Sequence, residues 1–113
     1  AAAKAWDKGQ GKWPQMSLAS RITAIEAFLD YLQPAREEIV KAVMWEICKN
    51  TTDAAAEFDR TMTFIRAAIA KLKSCDELEQ FGSWTTVSGT RGRVRRGPIG
   101  VTLMLAPFNY PLN

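Results

Sequence analysis

The sequence predicts an α/β fold, on three observations. Apolar residues recur at helical spacing between residues 18 and 72, a β-prone ribbon with a central glycine follows, and a mostly apolar run, Ile99 to Leu105, ends at a proline. Apolar stripes at spacings of three and four must pack on each other or on a sheet. An apolar run without alternation is the pattern of a strand buried on both faces.

Each element has its own signal. Residues 1–7 read as the end of a helix, closed near Gly9 and Gly11, and Lys12-Trp13-Pro14 reads as a break. The opening Ala1-Ala2-Ala3-Lys4-Ala5-Trp6 has no initiator Met and resembles the middle of a helix, so a piece of a longer chain is expected. Ser17 can cap a helix running to about Gln33, with Leu18, Ile22, Ile25, Leu29 and Leu32 on one stripe. Pro34 suits the first turn of the next helix, where its missing N–H costs nothing, and Glu37 and Glu38 complement the positive end of the helix dipole. Ile39, Val43 and Ile47 form its stripe, with Val40 and Met44 beside them, and Lys49-Asn50 closes it. Thr51, Thr52 and Asp53 are competent caps for a third helix carrying Phe58, Met62, Ile65, Ile69 and Leu72.

The character changes after Gly82. Trp84–Val87 and Arg91–Arg96 are β-prone, with Ser88-Gly89-Thr90 as a hairpin turn and Gly97-Pro98 as the break. Three segments follow: a helical part over residues 1–82, a ribbon over 83–97, and a strand with its loop over 98–113.

Composition removes several classes of function. With 47% hydrophobic and 24% charged residues the chain is not a disordered one. No apolar run reaches the ~18–20 residues of a membrane span, and no basic-then-apolar start marks a secretory signal. The chain has no His, which excludes a Cys/His metal site and a Ser-His-Asp or Cys-His triad built from these residues; no metal is expected. Cys48 and Cys75 form no CxxC pair and read as small buried apolar groups. Two isolated cysteines without a signal fit a reducing compartment, so a cytoplasmic location is expected. The net charge is +3, and the basic excess is local, at Arg91, Arg93, Arg95 and Arg96. Alternation puts Arg91, Arg93 and Arg95 on one face of a strand. That face can touch phosphates, but no RNA-binding motif or basic patch interleaved with aromatics accompanies it. A charge-guarded edge, solvated or facing another subunit, is the expectation, and no nucleic-acid or membrane partner is expected.

Chemistry points to the closing loop, Ala106-Pro107-Phe108-Asn109-Tyr110-Pro111. Ligands of open parallel sheets bind beyond the carboxyl ends of the strands. Two prolines fix the path of a loop that carries one amide. A rigidly held Asn can aim its NH₂ at a developing oxyanion, an effect of about 3–4 kcal/mol on a transition state. Spacing alone leaves a second reading open, in which Asn109 only satisfies the backbone of a turn.

The run Pro98-Ile99-Gly100-Val101 followed by Pro107-Phe108-Asn109-Tyr110-Pro111 resembles the start of the cofactor domain of NAD(P)-dependent aldehyde dehydrogenases. Arg36-Glu37-Glu38-Ile39 and Glu46-Ile47-Cys48-Lys49 resemble the early helices of that family, whose pattern more often has Gly where Cys48 stands. The resemblance spans essentially the whole chain. It implies an aldehyde-dehydrogenase-like α/β fold: N-terminal helices, an oligomerisation β-ribbon, and the first strand of a Rossmann-like cofactor domain. It implies that Asn109 stabilises the oxyanion and that Leu105, Ala106, Pro107 and Phe108 line the nicotinamide-side ribose. It implies an aldehyde substrate, a homo-oligomer (tetramer or dimer) and a nucleophilic Cys and general-base Glu further along the family's chains; neither Cys48 nor Cys75 matches the nucleophile.

Glu57-Phe58-Asp59-Arg60-Thr61, with the same loop, resembles the non-phosphorylating, NADP-dependent glyceraldehyde-3-phosphate dehydrogenases. That narrower likeness implies NADP, with NAD as the other option, and gives Arg60 and Tyr110 the substrate phosphate. Arg60 falls nearly opposite the Phe58/Met62/Ile65/Ile69 stripe on a helical wheel, so it can face a pocket, and a guanidinium suits a phosphate. It can equally be solvated or paired with Glu57 or Asp59. Two further readings stay open: a dehydrogenase of another aldehyde, and a helical binding module with a basic ribbon.

Overall fold

The computed structural model describes residues 1–77, 84–93 and 97–113, and of residues 75–77 the backbone alone. Among the described residues five α-helices, two 3₁₀ turns and one hairpin form: α1 (Ala2–Trp6), α2 (Lys12–Gln15), α3 (Leu18–Leu32), α4 (Arg36–Ile47), α5 (Thr51–Glu77), β1 (Trp84–Val87) and β2 (Thr90–Arg93).

α1 ends where Asp7 and Lys8 take positive φ. The expected break at Lys12-Trp13-Pro14 is instead the single turn α2. Pro14 sits in its first turn, where no intrahelical donor is needed. Ser17 caps α3 as its sequence suggests: Ser20 N–H donates to the Ser17 hydroxyl over 3.1 Å. A 3₁₀ turn with Pro34 inside it joins α3 to α4.

α5 is capped differently from the expectation at Thr51, Thr52 and Asp53. Asn50 is the cap: its side-chain oxygen accepts from Asp53 N–H at 2.9 Å, and its amide donates to Asp53 Oδ2 at 2.6 Å. Asn is among the strongest cap residues, and the reciprocal acid three positions on completes the pair. The threonines therefore fall inside the first turn.

The core lies where the three long helices meet. Ile22 and Leu29 of α3, Val40 and Val43 of α4, and Ala54, Phe58, Met62 and Ile69 of α5 are buried together. Ile39 and Ile47 are only partly buried, so the inward line of α4 runs through Val40 and Val43. Leu72 is exposed at the far end of the α5 stripe. Polar ties hold the edges: Arg36 reaches Asp59 through two hydrogen bonds of 2.8 and 2.7 Å, and Lys73 reaches Glu26 at 2.7 Å.

The hairpin pairs Trp84 with Arg93 and Val87 with Thr90. Its turn is the two residues Ser88 and Gly89, both at positive φ, as a tight hairpin demands. Thr90, expected in the turn, opens β2. Every strand residue is exposed, and the Arg91 guanidinium lies over the Trp84 ring at 5.2 Å. Gly82, Val94, Arg95 and Arg96 lie outside the described residues.

The strand expected over Ile99–Leu105 is not formed by these residues alone: residues 97–107 have no regular structure, and Ile99 is 96% exposed. A strand exists only through ladder hydrogen bonds to neighbours, and β1 and β2 pair with each other. Cys48, expected to be buried, is exposed. It is the residue that ends α4, at φ 55° and ψ 35°, and that left-handed turn directs its side chain away from the core. Cys75 lies among the residues of which only the backbone is described.

Candidate functional site

The closing loop folds back onto the junction of α4 and α5. Tyr110 N–H donates to Pro107 O at 3.2 Å, closing a four-residue turn with Phe108 and Asn109 at its tip. Leu112 packs against the helical core. Leu112 N–H also donates to Glu57 Oε1 at 3.0 Å.

Glu57 is the most unusual residue of this junction. Its carboxylate is buried completely on α5, and Lys49, just past the end of α4, pairs with its other oxygen at 2.8 Å. Burial alone would push its pKa up. The hydrogen bonds from Lys49, Leu112 and Asn113, with the Lys49 charge, outweigh that and hold it below the ordinary carboxylate range. Lys49 Nζ also donates to the backbone oxygen of Asn109 at 3.0 Å and sits 3.7 Å from the centre of the Tyr110 ring.

Arg60 comes to the same ring from the other helical turn. Its guanidinium lies 5.9 Å from the Tyr110 ring centre. The two carboxylates beside it in sequence are taken: Glu57 by Lys49, and Asp59 by Arg36. The Arg36 bridge holds the Asp59 carboxyl below its usual range. Among the described residues Arg60 therefore has no ion-pair partner, and Lys49, Glu57 and Arg60 together leave one positive charge beside Tyr110.

The predicted site residues thus fall into two groups. Asn109, Tyr110 and Arg60 are brought together. The Asn109 side chain is exposed and, among the described residues, makes no hydrogen bond; only its backbone oxygen is engaged. Leu105, Ala106, Pro107 and Phe108 form an exposed apolar edge leading into the turn, with Leu105 at 83% and Phe108 at 89% exposure. Their backbone is open apart from Pro107 O, which the turn uses. Among the described residues no group of His, Cys, Asp or Glu is gathered to hold a metal, and no helix is long and apolar enough to cross a membrane.

Sequence reasoning missed Lys49 and Glu57 as parts of this site. A signal existed for Glu57. With about 100° per residue, Ala54, Glu57 and Thr61 form a second row beside the Phe58 stripe, small and polar where that stripe is apolar. All three are buried, and the Thr61 hydroxyl is satisfied by Glu57 O at 2.9 Å.

A sequence model of the aldehyde dehydrogenase family matches residues 1–113. The chain is 33% identical over 115 aligned residues to the NADP-dependent glyceraldehyde-3-phosphate dehydrogenase of Streptococcus equinus, covering 100% of this chain and 24% of that protein. It is 30% identical over 101 residues to malonate-semialdehyde dehydrogenase 1 of Bacillus anthracis, covering 88% of this chain and 20% of that protein. The chain therefore spans about a quarter or less of the length of these relatives. No solved structure matches it.

Proposed function

We propose, from the premise that the chain belongs to the aldehyde dehydrogenase family, that it supplies the oxyanion donor and the anion-binding corner of an enzyme oxidising an acidic aldehyde to its carboxylic acid. The favoured substrate is D-glyceraldehyde 3-phosphate, with 3-phosphoglycerate as product. Two relatives are named for aldehydes with an anionic group, a phosphate in one and a carboxylate in the other.

In this reading a cysteine from another part of the protein attacks the carbonyl carbon. The oxygen gains negative charge, and the Asn109 amide, unengaged and at the tip of a proline-fixed turn, donates to it. Such a donor contributes about 3–4 kcal/mol to the transition state. NADP, when bound, would supply the hydride acceptor for the carbon joined to the cysteine, and water would then release the acid from the sulfur. Leu105, Ala106 and Phe108 offer the apolar wall and open backbone against which a nicotinamide and its ribose rest. Tyr110 and Arg60 hold the anionic end of the substrate, the guanidinium by paired hydrogen bonds. Ile99–Leu105 completes a strand when neighbouring strands are present, and β1–β2 takes part in subunit contacts.

One observation carries the choice of an acidic substrate: the Arg60 guanidinium stands at the Tyr110 ring while both neighbouring carboxylates are committed elsewhere. In the intact enzyme, Arg60→Ala is expected to raise KM for the phosphorylated aldehyde about tenfold or more, as loss of a charge-assisted contact does. KM for an uncharged aldehyde of similar size stays put. Equal KM values for the phosphorylated aldehyde in both enzymes would remove Arg60 from the substrate site. A binding module of the helical type would instead show no aldehyde oxidation in the intact protein.

A further inference from the structure

We propose that Lys49 and Glu57 are positioning residues for the Asn109 amide, a buried ionic latch that sets where the oxyanion donor stands. The proposal rests on the reading of Asn109 given above.

The attachments of the loop carry it. Upstream of the turn, residues 97–106 are mostly exposed and held by no backbone hydrogen bond among the described residues. Asn109 is therefore located from the other side. There two sets of hydrogen bonds tie the chain to the helices, Lys49 Nζ to Asn109 O and the backbone of Leu112 and Asn113 to Glu57. Both run through one ion pair. The first is made to the peptide oxygen of Asn109 itself, so a shift of Lys49 moves the residue that bears the amide.

Lys49 has no freedom left over. An ammonium has three N–H donors, and its neighbours are the Glu57 carboxylate, the Asn109 oxygen and the face of Tyr110. Glu57 in turn is fixed in the α5 backbone and fully buried. The chain of contacts from the rigid helix to the loop tip is thus short: α5, Glu57, Lys49, Asn109. The other ion pair between α4 and α5, Arg36 with Asp59, touches no residue of the loop, which makes it an internal control.

The test is steady-state kinetics on the intact enzyme. The double variant Lys49→Met with Glu57→Gln removes both charges and keeps an acceptor for Leu112. It is expected to lower kcat about tenfold or more, the scale of a misplaced catalytic group, with KM for aldehyde and cofactor changed by less than about threefold. Arg36→Met with Asp59→Asn keeps kcat. In an Asn109→Ala background the latch variant adds less than about a twofold further loss, because both changes act through one amide. If the double variant does not fold, Glu57→Gln alone is read the same way, with a smaller loss of kcat that again vanishes in the Asn109→Ala background. A kcat kept by the latch variant but lost on Asn109→Ala overturns the latch and leaves the oxyanion reading standing. So does a latch effect that persists fully without the Asn109 amide. A kcat that survives Asn109→Ala itself overturns the oxyanion reading and the latch with it.

Discussion

At the scale of single residues, one position carries a conformational cost. Cys48 ends α4 at φ 55° and ψ 35°, a left-handed conformation that glycine adopts freely and other residues do not. The penalty for a side chain there is about 1 kcal/mol. Cys48→Gly is therefore expected to stabilise the protein by about 0.5–1 kcal/mol in chemical denaturation; equal or lower stability would show that the turn accepts the thiol at no cost. The departure from the family's more usual Gly was legible in the sequence. The conformation behind it was not, because Cys48-Lys49-Asn50 can close a helix in several ways. That Asn109, Tyr110 and Arg60 are candidates was readable for a different reason. Proline on each side of the loop and the wheel position of Arg60 are local facts, whereas the partners of Arg60 depend on which helix lies beside α5. Arg36 supplied that answer by claiming Asp59.

At the scale of elements, helical spacing placed α3, α4 and α5 well, since apolar periodicity is a property of neighbouring residues. Caps were harder. Asn50 and the three residues after it all suit a cap, and the reciprocal bond with Asp53 selects Asn50. The junction of the loop with α5 was not legible, because Glu57 meets Leu112 across 55 residues. That junction has a pH signature. The folded pKa of Glu57 lies below its ordinary value, so its ionisation adds stability that is fully present above the ordinary carboxylate range. The contribution is lost as pH falls through the folded pKa. Wild type should exceed Glu57→Gln in melting temperature at about pH 6, and the gap should narrow towards about pH 3. A gap that does not change with pH would mean that Glu57 does not hold the loop through its charge.

For the molecule as a whole, the helices form a core and the segment before the loop does not join it. Ile99, Leu103, Met104, Leu105 and Phe108 are all more than four-fifths exposed. That run reads as a buried strand in the sequence, and its burial depends on strands that β1 and β2 do not provide. The isolated 113 residues are expected to bind an exposed-hydrophobe dye such as ANS strongly. Absence of dye binding would mean that the run packs onto the helices by itself. In the proposed whole enzyme, where neighbouring strands would cover this run, binding should be far weaker. The run leads into the proposed oxyanion donor, the Asn109 amide at the tip of a turn flanked by prolines. The most direct measurement is kcat of the intact enzyme carrying Asn109→Ala. The oxyanion role predicts a loss of about a hundredfold to a thousandfold with the melting temperature little changed. A variant that turns over aldehyde at the wild-type rate would contradict it.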